Sequence, residues 1–319
     1  MTHSPLQISF STLACPDWSW HDVLRFGSSF GYGGVEVRLL ARETDLLKIA
    51  DLQPSQLAAR RRELTETGFR VAGLASSVRF DHESPAARAE QLDIGRRYID
   101  LCVALGGEFI RVFGDVLPTG DEAARSQTMQ QIADGLVALG EVAAQADIQI
   151  LLETHGDFSA SPPCEDVMRL VDHPSVGLVW DTHHPWRFHG ERVADTFERL
   201  RPWTRHTHWK DSVALPSREE TAEMTEAARA ASQLMSGHLH ADYVLFGGGE
   251  FPAVDCLRLL LDGGYSGWYS LEWEKMWHPQ LLGPEIALPL FPIKLRDVAM
   301  LARMSIPAAV SIPLSERGT

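Results

Sequence analysis

Four side chains that can bind a metal or move a proton each close an apolar run. They are Glu153 in Leu151-Leu152-Glu153-Thr154-His155, Asp181 in Gly177-Leu178-Val179-Trp180-Asp181, His208 in Arg205-His206-Thr207-His208, and Glu272 in Tyr269-Ser270-Leu271-Glu272. A carboxylate carried into an apolar site without a partner is very costly, so a bound cation is the natural way to keep three of them there. Three carboxylates and one imidazole make a hard, oxygen-rich donor set, suited to Mn2+ first and to Mg2+ or Co2+, with Zn2+ also possible. No thiolate joins them, which argues against a purely structural zinc site.

The chemistry such a set supports is removal of a proton next to a carbonyl. As that proton leaves, charge develops on the carbonyl oxygen, and a metal holding the carbonyl and a neighbouring hydroxyl stabilises the ene-diolate as a Lewis acid. A carboxylate on one face takes the proton. Inversion needs a second acid on the opposite face to return it, and Glu153 and Glu272, arriving from different strands, can divide these roles. His155 stands two residues after Glu153 and shares its strand face if the strand continues, which makes it a competing base or a hydroxyl ligand.

Short apolar runs alternate with longer helical patterns almost to the C-terminus. This is the signature of βα units around a parallel sheet, and about eight units suffice to close a barrel. The expected strands are Gln7 to Ser11, Gly34 to Arg38, Arg70 to Ala75, Phe109 to Phe113, Ile148 to Glu153, Val176 to Asp181, Arg205 to His208 and Trp268 to Glu272. The longest expected helices are Pro85 to Leu105, opened by Ser84 as cap and Pro85 at its first position, and Glu122 to Ala146. Gly68, Gly106 and Gly263 follow helical stretches where a left-handed residue is expected. Asp181 lies 28 residues after Glu153, and His208 27 after Asp181, near the ~30 residues of one βα-plus-strand unit. The four residues therefore stand at equivalent heights, at the carboxyl ends of the last four strands, where barrel enzymes place their sites. His208 to Glu272 takes 64 residues because of an enlarged loop, Ala214 to Tyr243, after the seventh strand. With no Pro-, Gly- or Ser-rich linker, one α/β (β/α)8 barrel domain over residues 1–319 is expected, with a loose extension after about residue 305.

Other residues surround the four. Lys210 and Asp211 suit the orientation of a ligand or substrate, or form a solvent-facing ion pair. Glu36, Arg38 and Arg111 end the second and fourth strands, positions that suit sugar hydroxyls or rim salt bridges. Trp273 and Trp277 either stack on a sugar or cover the rim. His183 and His206 are read as structural. The loop Phe246-Gly247-Gly248-Gly249-Glu250 could cradle a phosphate, but Glu250 would repel one, which favours an unphosphorylated sugar.

The segments Leu152-Glu153-Thr154-His155, Trp180-Asp181-Thr182-His183-His184, His206-Thr207-His208-Trp209-Lys210-Asp211 and Leu271-Glu272-Trp273-Glu274 resemble the sugar isomerase and epimerase family with a xylose-isomerase-like barrel, which includes ketose 3-epimerases. The resemblance implies that Glu153, Asp181, His208 and Glu272 bind one divalent metal and that the two glutamates exchange protons with the substrate. Through the Asp-x-x-His match of Asp181 and His184, it implies His184 as a substrate ligand. It further implies a small sugar substrate and a homodimer or homotetramer. The first expectation is an isomerase or epimerase of a ketose or keto-sugar. The alternative is a lyase or dehydratase of keto-sugars or inososes, including 3-keto-glycoside elimination, some of whose relatives use a small second subunit.

Composition narrows the rest. Lys plus Arg number 29 against 43 Asp plus Glu, a formal charge of -14, which disfavours nucleic acid and anionic membranes as partners. A metal-dependent endonuclease at abasic sites, which would need more histidines and a basic face, and a non-catalytic sugar-binding module are the lesser readings. The first residues lack a signal-peptide pattern, no uncharged stretch is long enough to span a bilayer, and four scattered cysteines form no Cys-x-x-Cys pair; the expectation is a cytoplasmic protein with reduced thiols.

Overall fold

Eight of the apolar runs pair side by side, all parallel, and close on themselves. The computed structural model describes residues 6–214 and 241–304. Strands β1 (Gln7–Ser11), β2 (Gly34–Val37), β3 (Arg70–Arg79), β4 (Phe109–Phe113), β5 (Gln149–Glu153), β6 (Val176–Asp181) and β7 (Thr204–Trp209) follow one another around the wall. A pair of short antiparallel strands, β8 (Asp211–Ala214) and β9 (Ala241–Val244), stands outside it, and β10 (Trp268–Leu271) closes the barrel between β7 and β1. This is the (β/α)8 barrel. Seven of the eight barrel strands begin and end within one residue of the runs read from sequence; β3 continues four residues past Ala75, with its pairing to β4 irregular there.

Helix ends follow local chemistry. Helix α1 (Trp20–Ser29) opens on a capping box in which Ser19 and Asp22 satisfy each other's backbone N–H. Helices α2 (Pro54–Thr67) and α3 (Pro85–Leu105) carry proline in their first turn and stop at Gly68 and Gly106, both left-handed. In α4 (Glu122–Gln145) the Asp121 carboxylate accepts from Ala124 N–H. The later helix Ala253–Asp262 departs from expectation: Gly263 is right-handed, and Gly264 takes the positive φ of 75°. Helix Pro284–Arg303 is the last described element; the helical stretch expected in the enlarged loop, residues 215–240, and the tail after residue 304 lie outside the described residues.

Two apolar regions hold the wall. Outward-facing strand residues such as Phe10, Val35 and Ile150 pack beneath the helices, and a smaller group, Ala72, Phe109, Leu151, Val179 and Trp268, plugs the barrel interior. Gly34 makes room for this plug, since a Cβ there would come within 2.8 Å of the Trp268 ring. Two residues further along β4, β5 and β6, the same inward face presents Arg111, Glu153 and Asp181.

Candidate active site

Above the apolar plug the inward positions turn polar. Glu153 ends β5, Asp181 ends β6, and His208 lies in β7 directly opposite Asp181 in the strand register. Glu272 follows β10 and donates its backbone N–H to the Trp209 carbonyl. All four are buried, and one ligating atom from each lies within 4.8 Å of every other. His208 Nδ1 is 3.1 Å from Glu153 Oε1 and 3.3 Å from Glu272 Oε1. The backbone prepares Asp181: the N–H groups of His183 and His184 donate to Oδ1, and its own N–H donates to Thr154 Oγ1.

Cations from the protein already balance part of this charge. Lys210, 1% exposed, places Nζ 2.8 Å from Asp181 Oδ2, 2.6 Å from Glu272 Oε2 and 2.7 Å from Glu274 Oε1. The solvent-facing ion pair entertained for it from sequence is therefore not what forms. Burial would depress the Lys210 ammonium, but Asp181, Glu272 and Glu274 outweigh it and hold it well above its ordinary value. Burial raises Asp181 to about 6 and Glu274 to about 7 against the pull of Lys210. On the other side Arg111 Nε is 3.3 Å from Glu153 Oε2, its guanidinium lying 3.8 Å over the Phe113 ring. Burial alone would raise Glu153 and Glu272; Arg111 and His208 hold the first below the usual carboxylate range, and His208 and Lys210 hold the second well below it. For His208, burial is outweighed by Glu272, Glu36 and Glu153, so the imidazole sits above its ordinary value. Five buried carboxylates (Glu36, Glu153, Asp181, Glu272, Glu274) converge on this region, more than the buried cations Lys210, Arg111 and Arg38 offset. That surplus, with a hard N/O donor set at ligating distance, fits a divalent cation.

His155 follows the end of β5 and lines the site beside Phe113, at 4.6 Å between ring centroids, and His184, at 6.0 Å. Its Nδ1 is 2.8 Å from Asp115 Oδ1, a residue whose φ of 52° is left-handed. Burial would lower His155, but the Asp115 hydrogen bond and charge outweigh it and raise the imidazole above its ordinary value. His184 opens the short helix His184–His189, its Nδ1 2.9 Å from the Thr154 carbonyl and its Nε2 3.1 Å from Lys210 Nζ. Asp115 was not read from sequence, and Glu274 stood in the quoted motif without a role. The signal for both was the same: a carboxylate within three residues of a strand end on the site face.

Three expectations change. Glu36 is not on the rim facing a sugar; it is wholly buried beneath His208 and accepts hydrogen bonds from His206 and His208. His206 and His208, two residues apart, share one strand face. Trp273 is 3% exposed, packs in the core and donates its indole N–H to the Leu282 carbonyl, so it fastens the following loop and offers no open face for stacking. The glycine loop is not a phosphate cradle: the N–H groups of Gly247, Gly249 and Phe251 all donate to the Asp211 carboxylate, which fills that role within the protein. Arg38 donates to the Thr44 carbonyl and to Ser77 Oγ near the site edge, and His183 pairs with Ser212 Oγ.

A closed parallel barrel with acids and imidazoles at the carboxyl ends of its strands defines the class, and the chain belongs to the xylose isomerase-like TIM barrel family, which matches residues 24–288. Among characterised proteins it is 25% identical over 195 residues to 3-dehydroshikimate dehydratase of Bacillus anthracis, covering 60% of this chain and 66% of that one. It is 27% identical over 177 residues to inosose dehydratase of Klebsiella pneumoniae (strain 342), covering 54% of each. The chain thus spans a little under two thirds of the first relative and about half of the second. Solved structures share the fold at lower identity. The IOLI protein with a bound zinc atom has a TM-score of 0.71 at 16% identity, covering 94% of this chain and all of that one. A Mycobacterium smegmatis barrel in complex with magnesium has 0.65 at 16%, covering 93% and 96%. The 3-keto-D-glucoside 4-epimerase YcjR of E. coli has 0.66 at 15%, covering 92% and 100%. Among the described residues no helix is long and apolar enough to cross a membrane.

Proposed function

We propose that this protein is a metal-dependent lyase that removes water from a polyhydroxylated ketone, with Glu153, Asp181, His208 and Glu272 holding one divalent cation. The observation that carries this reading is the pairing pattern of the acids and bases. Glu153 and Glu272, the two proton carriers an epimerase needs, are each occupied by a protein cation, Arg111 and Lys210. His155 instead is backed by a carboxylate, Asp115, a pairing that stabilises the ring when it takes up a proton. That is a base poised to act once.

When bound, the cation would polarise the substrate carbonyl and lower the acidity barrier of the adjacent C–H. The chain's own residues supply the rest. His155 takes the α-proton, the C–H electron pair becomes the new C=C bond, and the β C–O bond breaks. The imidazolium returns its proton to the departing hydroxyl, so that water leaves and the residue is restored. Asp115 stabilises the imidazolium between the two transfers. Arg111 and Lys210 keep Glu153 and Glu272 ionised as ligands, and His184 beside Lys210 is placed to meet a hydroxyl. The dehydratase names of both characterised relatives support the same reaction class.

An epimerase remains the second reading, favoured by the presence of both glutamates in the cluster and by the YcjR neighbour. The variant His155→Asn separates them. The lyase reading expects turnover to fall by about 10²–10⁴-fold with metal affinity retained; turnover within a few-fold of the wild type would remove His155 from the chemistry and return the proton-transfer role to the glutamates.

A further inference from the structure

One buried group lies below the metal set and takes no part in the chemistry above. Glu36, on β2, is wholly buried in the barrel interior. Its Oε2 accepts from His208 Nε2 at 2.8 Å, from His206 Nε2 at 3.0 Å and from Ser270 Oγ at 3.2 Å. To reach His208 it must cross β1 and β10, which separate β2 from β7 in the wall. The interior positions it passes are serines: Ser270 is directly opposite His208 in the register, and Ser9 directly opposite Ser270. Bulkier residues there would close the path. Ser9 Oγ is buried and has no hydrogen-bond partner among the described residues.

A wholly buried glutamate is poor value for stability alone, because an apolar replacement of such a network is often neutral or stabilising. Its position relative to the site gives it a different use. His208 has two nitrogens: Nδ1 faces Glu153 and Glu272, and Nε2 faces Glu36. A ligating imidazole binds through one nitrogen and needs the other's proton held elsewhere.

We propose that Glu36 is a positioning residue for the metal site: by accepting the Nε2 proton of His208 it fixes the ring's tautomer and rotation so that Nδ1 is the ligating nitrogen. His206, its ring tilted against Phe109 of the apolar plug at 4.5 Å between centroids, is the second donor that holds Glu36 in place. Two inputs thus converge on one carboxylate, and one output leaves it, the orientation of His208. The inference rests on the metal reading of the four-residue set but not on the reaction assigned to it.

The test uses the full chain and metal alone, without substrate. Zn2+ is titrated against a competing chelator, and ¹⁵N-histidine-labelled protein loaded with Zn2+ is read by long-range ¹⁵N–¹H correlation, with His208→Gln assigning the signal. Expected are a proton on Nε2 of His208, metal on Nδ1, and a loss of about 10–100-fold in Zn2+ affinity for Glu36→Gln while its metal-free thermal midpoint stays close to the wild type. The proton on Nδ1, or unchanged affinity in Glu36→Gln, would overturn the assignment. Should that variant fail to fold, the wild-type spectrum decides by itself. A wild type that binds no Zn2+ sinks the metal reading and this inference together, whereas normal binding with the expected tautomer and no dehydration leaves it standing and rejects only the reaction.

Discussion

Lys210 shows how this site solves its electrostatic problem residue by residue. One ammonium sits among Asp181, Glu272 and Glu274 with all contacts at or below 2.8 Å. Breaking a buried network by removing one partner strands the opposite charges. Lys210→Met should therefore destabilise the metal-free protein by about 3–5 kcal/mol, measured by urea unfolding; a loss below about 1 kcal/mol would mean that the carboxylates are balanced by something else. The four strand-end residues were legible because the signal is local: a charge closing an apolar run. Asp115 was not, because it meets His155 across 40 residues of sequence from a left-handed loop position. Glu36 was placed on the rim for a similar reason. Nothing in Gly34-Val35-Glu36-Val37-Arg38 tells that Arg38 bonds to Thr44 and Ser77 while Glu36 crosses the barrel interior.

At the scale of elements, strand and helix spans were readable wherever hydrophobic period and caps agreed, as in α3 with Ser84, Pro85 and Gly106. They were less so where tertiary contacts decide. The extension of β3 through Ser76-Ser77 carries no apolar signal and depends on Ser76 Oγ donating to the Arg111 carbonyl of the next strand. Three amides of loop 245–251 converge on one side chain: Asp211 accepts from the Gly247, Gly249 and Phe251 N–H groups as well as from Ser212, while Glu250 pairs with Arg187. A glycine-rich run could be read as an anion cradle because its amides do converge, but the anion they converge on is part of the chain. Asp211→Ala leaves those donors without their acceptor and should cost about 1–3 kcal/mol, read as a lower urea midpoint. An unchanged midpoint would show that the loop's order does not come from Asp211.

For the whole molecule, the barrel gathers a surplus of buried negative charge at one end of a chain whose net charge is already -14. A cation that binds the folded form and not the unfolded one should stabilise it, by about 2.7 kcal/mol at a hundred times its Kd. The thermal midpoint should rise with added Mn2+ or Mg2+ in the wild type and respond little in Asp181→Asn; equal responses would place the binding elsewhere. The family and its fold were legible across nearly the whole chain, whereas the pairing of His155, Arg111 and Lys210, on which the proposal of water loss rests, is displayed only by the folded arrangement. The direct test of the account is the product itself. Metal-loaded protein is incubated in heavy water with an inosose, 3-dehydroshikimate and a panel of keto-sugars, and the products are followed by NMR. The account predicts an unsaturated carbonyl product, formed with loss of water from one of these hydroxy ketones. A saturated, rearranged or epimerised sugar carrying solvent deuterium, with no water lost, would contradict it.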